Sequence, residues 1–173
     1  AEAENIRRMV QFLFEKGDHE HAIPFLERGL EIGQAIHDKN YQMDMLAQLG
    51  LAQYFFENLE KAEELLFEAY QLATQMQKPL ELAQIGGKLS VVKAERGELE
   101  AAIKYAQEAV QVAEAQNLPL LRGEQLVLLA MNYLDLDRQE EAREHLNKAV
   151  ALYRELGQED MVEQAEQLLE SIG

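Results

Sequence analysis

Residues 97–103 read Gly-Glu-Leu-Glu-Ala-Ala-Ile, a short polar turn followed by the start of a helix. Ala102 in this stretch belongs to a column of alanines at a constant spacing of 40 residues, together with Ala22, Ala62 and Ala142. A fixed spacing across four copies indicates an internal repeat. Small residues at fixed helical positions let a neighbouring helix approach closely. The stretch therefore predicts an array of packed helices.

Two further columns share the 40-residue period. The second consists of small residues, and the third of large apolar residues that would fill the space between units. The members of the second are Gly29, Ala69, Ala109 and Ala149, and those of the third are Met9, Leu49, Leu89, Leu129 and Leu169. The first two columns are seven residues apart, so they lie two turns apart on one helix face.

Composition supports an all-α chain. The 173 residues are 47% hydrophobic and 28% charged, with only three prolines, which suits one folded domain or a short repeat array. Ala, Leu, Glu and Gln are abundant, and they are good helix formers. Alternating runs of β-branched residues, which would indicate strands, are missing.

Each unit is predicted to contain two helices joined by a short polar turn. The predicted helices span 3–16, 20–37, 41–56, 59–76, 80–96, 99–116, 120–135, 139–156 and 159–172. Pro79 and Pro119 suit a first helical turn, where the missing N–H costs nothing. Pro24 is expected to make its helix begin a few residues late.

This pattern resembles the tetratricopeptide repeat, which has a Leu-Gly pair, an alanine after the inner turn and an apolar residue four positions later. The matching residues are Leu49-Gly50, Ala62 and Leu66 in the second unit, Leu89-Ser90, Ala102 and Ala106 in the third, and Leu129-Ala130, Ala142 and Leu146 in the fourth. The resemblance covers nearly the whole chain. HEAT and armadillo arrays have a similar period but lack this alanine-centred turn.

The chain departs from the family pattern in two ways. It has no Trp, and the usual late proline is replaced by Gln34, Thr74, Glu114 and Arg154. Without that proline the second helix can continue, which fits a 40-residue unit in place of the usual ~34. Long units of this kind resemble those of G-protein-signalling modulators, kinesin light chains and bacterial peptide receptors.

The resemblance implies a right-handed α–α superhelix, a solenoid of four helix pairs and a C-terminal capping helix. The expected organisation is a single array over residues 1–173, with units at about 1–40, 41–80, 81–120 and 121–157 and the cap at about 158–173.

The charge balance excludes several partners. Acidic residues number 32 against 16 basic ones, giving a net charge of -16 that repels nucleic acids and anionic lipid surfaces. The absence of cysteine excludes disulfides and thiolate chemistry. No apolar run approaches the ~20 residues that a transmembrane helix needs, and no signal-peptide pattern is present. We expect a cytoplasmic protein.

No motif predicts catalysis, a metal or a cofactor, so an enzyme is not expected. The His19-Glu20-His21 cluster lacks the i, i+4 spacing of a helical metal site and is interpreted as solvated turn residues. The stretch Gly86-Gly87-Lys88-Leu89-Ser90 lacks the first glycine and the Ser or Thr of a phosphate loop. His145 shares a column with Phe25, Leu65 and Tyr105, which predicts a partly buried core histidine.

The first helix of each unit would line the concave surface, by resemblance to the family. The four first helices together carry only -2 of the net charge of -16, so the excess acid lies elsewhere. Solubility of the convex side is an alternative explanation for this distribution. Helical spacing then predicts the groove residues Arg8 and Gln11, Gln48, Leu51 and Phe55, Gln84, Lys88 and Val91, and Leu128 and Met131.

This predicted groove has an apolar middle and polar edges, formed by Asp44, Glu95, Glu124 and Asp135. Such a face favours a scaffold that binds a protein partner through a peptide or helix. The family's carboxylate clamp is not expected, because Arg7, Arg8 and Lys88 occur without an Asn.

A structural or oligomerisation module, or a consensus-like designed array without a ligand, remains the alternative. The glycine pair Gly86-Gly87 fits either close helix packing or a closely approaching ligand. Helix 1–16 is apolar on more than one face, which predicts self-association through it or an upstream segment that covers it.

Overall fold

The computed structural model describes residues 2–172, which form nine helices and no strand. The helices are α1 Glu2–Glu15, α2 His19–Ala35, α3 Lys39–Phe55, α4 Leu59–Gln75, α5 Pro79–Glu95, α6 Leu99–Ala115, α7 Pro119–Asp135, α8 Gln139–Glu155 and α9 Glu159–Ser171. Each bound lies within two residues of the predicted one. Ala1 and Gly173, the ends of the predicted array, lie outside the described residues.

A left-handed residue ends each of the first eight helices, and these residues recur every 20 positions with φ between +53° and +76°. They are Gly17, His37, Glu57, Gln77, Gly97, Asn117, Asp137 and Gly157. In each of these turns, the residue after the left-handed position donates its backbone N–H to the carbonyl five residues earlier. For example, the Glu98 N–H donates to the Lys93 carbonyl at 2.9 Å. This repeated cap makes α2 to α8 equal in length, at 17 residues each.

Two of the three prolines lie where they were predicted, at the first positions of α5 and α7. The prediction for Pro24 was wrong, because α2 begins at His19 and includes Pro24. The Asp18 carboxylate caps the helix by accepting a bond from the His21 N–H at 3.3 Å. Pro24 removes only the helical bond to the Glu20 carbonyl, and both residues are exposed.

The chain divides into two compact units, residues 1–78 and 79–173. Each unit contains two of the four predicted helix pairs, and the second also contains α9, the predicted capping helix. The alanine column is fully buried in both units, at Ala22 and Ala62 in the first and at Ala102 and Ala142 in the second. Small residues therefore lie where helices approach one another, as the repeat predicted.

The second unit contains a buried polar connection between α5, α6 and α7. The Asn132 Nδ2 donates to Ser90 Oγ at 2.8 Å, and Ser90 Oγ donates to the Ala102 carbonyl at 2.8 Å. Ser90 is 0% and Asn132 is 1% exposed. Because each donor finds an acceptor, these polar groups hold the register of α5 and α7.

No helix within residues 2–172 has the length and apolar character needed to cross a bilayer.

Candidate ligand-binding surface

The predicted groove residues of the first unit lie on α1 and α3, and all are exposed or half-buried. Their polar groups already have intrahelical partners. Arg8 Nε lies 3.3 Å from Glu4 Oε1, and Gln11 Nε2 donates to Glu15 Oε1 at 3.0 Å. Gln48 Nε2 donates to the Asp44 carboxylate at 2.8 Å.

Arg7, which was not among the predicted groove residues, connects α1 to α3. Its Nε lies 3.5 Å from Asp44 Oδ2, and its guanidinium lies 4.7 Å from the centre of the Tyr41 ring. The charge of Asp44 is therefore compensated within the first unit.

An aromatic cluster in the same unit corrects the interpretation of His19. The imidazole stacks on Phe55 with ring centres 4.0 Å apart and meets the edge of Phe14 at 4.8 Å. His19 is half-buried, so it is not a solvated turn residue. His21 is exposed, as interpreted, and its Nδ1 lies 2.7 Å from Asp18 Oδ1. The stacking contact with His19 therefore covers part of the Phe55 ring and packs α2 against α3.

The predicted groove residues of the second unit lie on α5 and α7, which contact one another. Gln84 and Met131 are exposed, whereas Lys88, Val91 and Leu128 are half-buried.

Gly87 lies at this contact between α5 and α7. A Cβ atom on Gly87 would come within 2.4 Å of Gln125 Oε1, and both residues are buried. Close packing against a neighbouring helix therefore explains this glycine.

A cavity of about 350 Å³ opens between α7, α8 and α9. It is lined by Glu124, Val127, Met131, Tyr153, Met161, Gln164, Ala165 and Leu168. Of these, Met131 was a predicted groove residue and Glu124 a predicted edge residue. Gln164 and Leu168 were missed, although they lie 40 residues after Glu124 and Leu128. Extending the same helical spacing into α9 would have found them.

The electrostatics of the cavity depend on how far each group is removed from water. Glu124 is exposed at the rim of the cavity, and partial burial of its carboxyl raises the pKa above its usual value. Burial, together with the charge of Glu124, raises the pKa of Tyr153 to about 12, so the phenol stays protonated at neutral pH. The Tyr153 ring fits beside α7 because residue 123 is glycine; a Cβ there would lie 2.5 Å from Tyr153 Cε1.

His145 is half-buried, which confirms the sequence prediction. Its ring stacks on Tyr133 with centres 5.4 Å apart and an interplanar angle of 3°. Burial lowers the pKa of this imidazole, so the neutral form is favoured.

Throughout the described part of the chain, no group of three or more His, Cys, Asp or Glu side chains is arranged to hold a metal ion.

The helix pairs and their shared turn define a helical repeat protein. Two tetratricopeptide repeat profiles match the chain, one over residues 1–75 and the other over residues 126–156. The chain belongs to the tetratricopeptide repeat family. A comparison with curated proteins finds no match.

Several solved structures share this fold at low sequence identity. One is a signal transduction ATPase with a tetratricopeptide repeat sensor from Pyrococcus horikoshii, with a TM-score of 0.83 and 21% identity over 94% of this chain. This chain spans only 25% of that protein. The kinesin light chain TPR-like repeats of Podosopora anserina have a TM-score of 0.75 and 15% identity, with 99% of this chain and 96% of that chain covered.

A third similar structure is the Rap conjugation gene regulator of plasmid pLS20, determined in complex with the Phr* peptide. Its TM-score is 0.81 at 17% identity, over 96% of this chain and 46% of that one. At these identities the likeness concerns the fold.

Proposed function

We propose that the chain is a protein-interaction module that binds a peptide or helix of a partner on its first helices. The observation that carries this proposal is the apolar surface of α5 and α7 beside the cavity. Met131 is 46% exposed, and Val91 and Leu128 are half-buried. Polar residues Gln84 and Glu124 border them. An apolar floor with a polar edge is common to grooves that bind peptides.

The similar structures support this choice of ligand. The plasmid-encoded Rap regulator is described with the Phr* peptide, and another Rap protein with Competence and Sporulation Factor. The same arrangement of helix pairs thus occurs in proteins solved with such partners. We propose that this surface binds a partner and does not catalyse a reaction, because apolar side chains bordered by polar ones suit contacts with another protein.

Met131→Asp is expected to weaken peptide binding by about tenfold or more. Burial of one large apolar anchor contributes about 1.5–3 kcal/mol, and a charge at its position removes that contribution. The ligands would be peptides selected from a random 16-residue phage library against the full chain, with affinities measured by isothermal titration calorimetry.

Ala151→Asp is the matched control, since Ala151 is exposed on α8, the second helix of the same pair. It adds the same charge and should leave the affinity unchanged. Circular dichroism would check that both variants keep their helicity. Equal affinities for wild type and Met131→Asp would contradict the proposed surface, and equal losses in both variants would show a general charge effect.

A second candidate function, self-association, is favoured by α1. Met9 is 41% and Phe12 is 53% exposed, whereas the residues 40 positions later, Leu49 and Ala52, are 4% and 0% exposed. These positions of the repeat are therefore buried in the core in α3 but exposed on the surface in α1. Such an apolar face suits contact with a second copy of the chain.

Phe12→Glu is expected to shift a dimer towards monomer, because the contact would have to bury a carboxylate. Sedimentation velocity over a range of concentrations measures this shift. Phe67→Glu on α4 is the control, since Phe67 is also exposed, at 44%. A wild-type chain that stays monomeric at the highest concentration rules out self-association through α1.

A further inference from the structure

We infer that the cavity between α7, α8 and α9 binds a lysine or arginine side chain of the partner. The inference rests on the proposed function, because it specifies which residue the partner inserts beside Met131.

The size and walls of the cavity suit one long side chain. A volume of about 350 Å³ lies at the lower end of the ~300–1,000 Å³ typical of ligand sites. Of the eight described residues that line it, five are apolar: Val127, Met131, Met161, Ala165 and Leu168. These walls can contact the methylene groups of a lysine or arginine, whose apolar stems commonly pack in this way.

The charge of the cavity selects a cation. Among the described residues that line it, Glu124 is the one acidic residue and none is basic. Glu124 is exposed at the rim of the cavity, where partial burial raises the pKa of its carboxyl, and no cation within residues 2–172 lies close enough to lower it. An ammonium or guanidinium group would supply the missing compensation. Gln164 offers a further amide oxygen as an acceptor, and the protonated Tyr153 adds no competing charge.

The repeat shows how the same carboxylate position is compensated elsewhere. Asp44 occupies the same column, 80 residues or two repeats before Glu124, and its Oδ2 lies 3.5 Å from Arg7 Nε. The residue 80 positions after Arg7, at the matching place beside Glu124, is Gly87, which has no charged side chain to offer. The first unit thus carries its own cation at this position, whereas the second leaves that role to a partner.

The test uses small cations in place of the unidentified partner. The full chain, with ¹³C-labelled methionine methyl groups, is titrated with n-butylammonium and n-butylguanidinium and, as the neutral comparison, n-pentanol. We expect saturable shifts of the Met131 and Met161 methyl signals, with the cations binding at least about fivefold more tightly than the alcohol. That factor corresponds to the ~1 kcal/mol of a favourable, partly exposed ion pair.

Glu124→Gln should remove this preference, while Glu155→Gln, the same change at an exposed position on α8, should preserve it. Equal binding of cation and alcohol, or a preference that survives Glu124→Gln, would overturn the inference.

The selected peptides separate this inference from the proposed function. Peptides that depend on Met131 but tolerate Glu124→Gln and replacement of each Lys or Arg by norleucine would support the surface and refute the cation site. If no peptide depends on Met131 although the cations still require Glu124, the proposed function fails and the charge selectivity of the cavity stands.

Discussion

Leu129→Ala is expected to lower the free energy of unfolding by about 2–5 kcal/mol, because it leaves a cavity in a close-packed core. Leu129 is 1% exposed and belongs to a cluster that includes Ile103 and Ala106 of α6 and Leu146 of α8. These neighbours lie on rigid helices and can close the space only in part.

Met9→Ala is the matched control, since Met9 occupies the same column of the repeat as Leu129. Met9 is 41% exposed, so its truncation should cost less than about 1 kcal/mol. Urea denaturation of the full chain, followed by circular dichroism, measures both variants. Similar losses of unfolding free energy in the two variants would show that the difference in burial between Met9 and Leu129 does not govern stability.

Tyr153→Ala is expected to cost about 3–5 kcal/mol, the usual range for removing a buried aromatic ring. Tyr153 is 3% exposed and packs against Gly123. Gly123→Ala alone should also destabilise the protein, by about 1–3 kcal/mol, because its Cβ would collide with the ring.

The double variant should show strong coupling. With Tyr153 truncated, Gly123→Ala no longer causes a collision and should gain the ~1 kcal/mol by which alanine is favoured over glycine in a helix. The double variant restores the pair found 40 residues earlier, where Ala83 and Ala113 are both fully buried. Thermal or urea unfolding of all four chains completes the cycle, and additive effects would mean that the ring has room to move.

The helix bounds could be predicted because they depend on local chemistry. Alanine spacing, turn residues and N-terminal prolines act within a few residues of where they stand. The predicted effect of Pro24 on the start of α2 was wrong. The Asp18 carboxylate and the turn at Gly17 determine where α2 begins more strongly than the missing N–H of Pro24 does. The interpretation of His19 was wrong because its stacking partner, Phe55, lies 36 residues away.

The candidate site could be predicted only in part. Helical spacing placed Met131 and Leu128 on an accessible face, since residues at that spacing share one side of a helix. It could not show that Tyr153, on a second helix, reaches the same cavity. The equivalent position in the other 40-residue repeats holds a small residue, at Gly33, Ala73 and Ala113. The repeat pattern therefore gave no reason to expect an aromatic side chain there.

The sequence by itself determined the all-α class, the 40-residue unit and the family, because a repeated local pattern produces the same helix pair each time. Only the tertiary structure decided which equivalent positions of the repeat differ in burial and in charge compensation. Met9 and Leu129 share a column but not their burial, and Asp44 and Glu124 share a column but not a cation. Burial and charge compensation depend on side chains from other helices, and a residue's place in the repeat does not specify them.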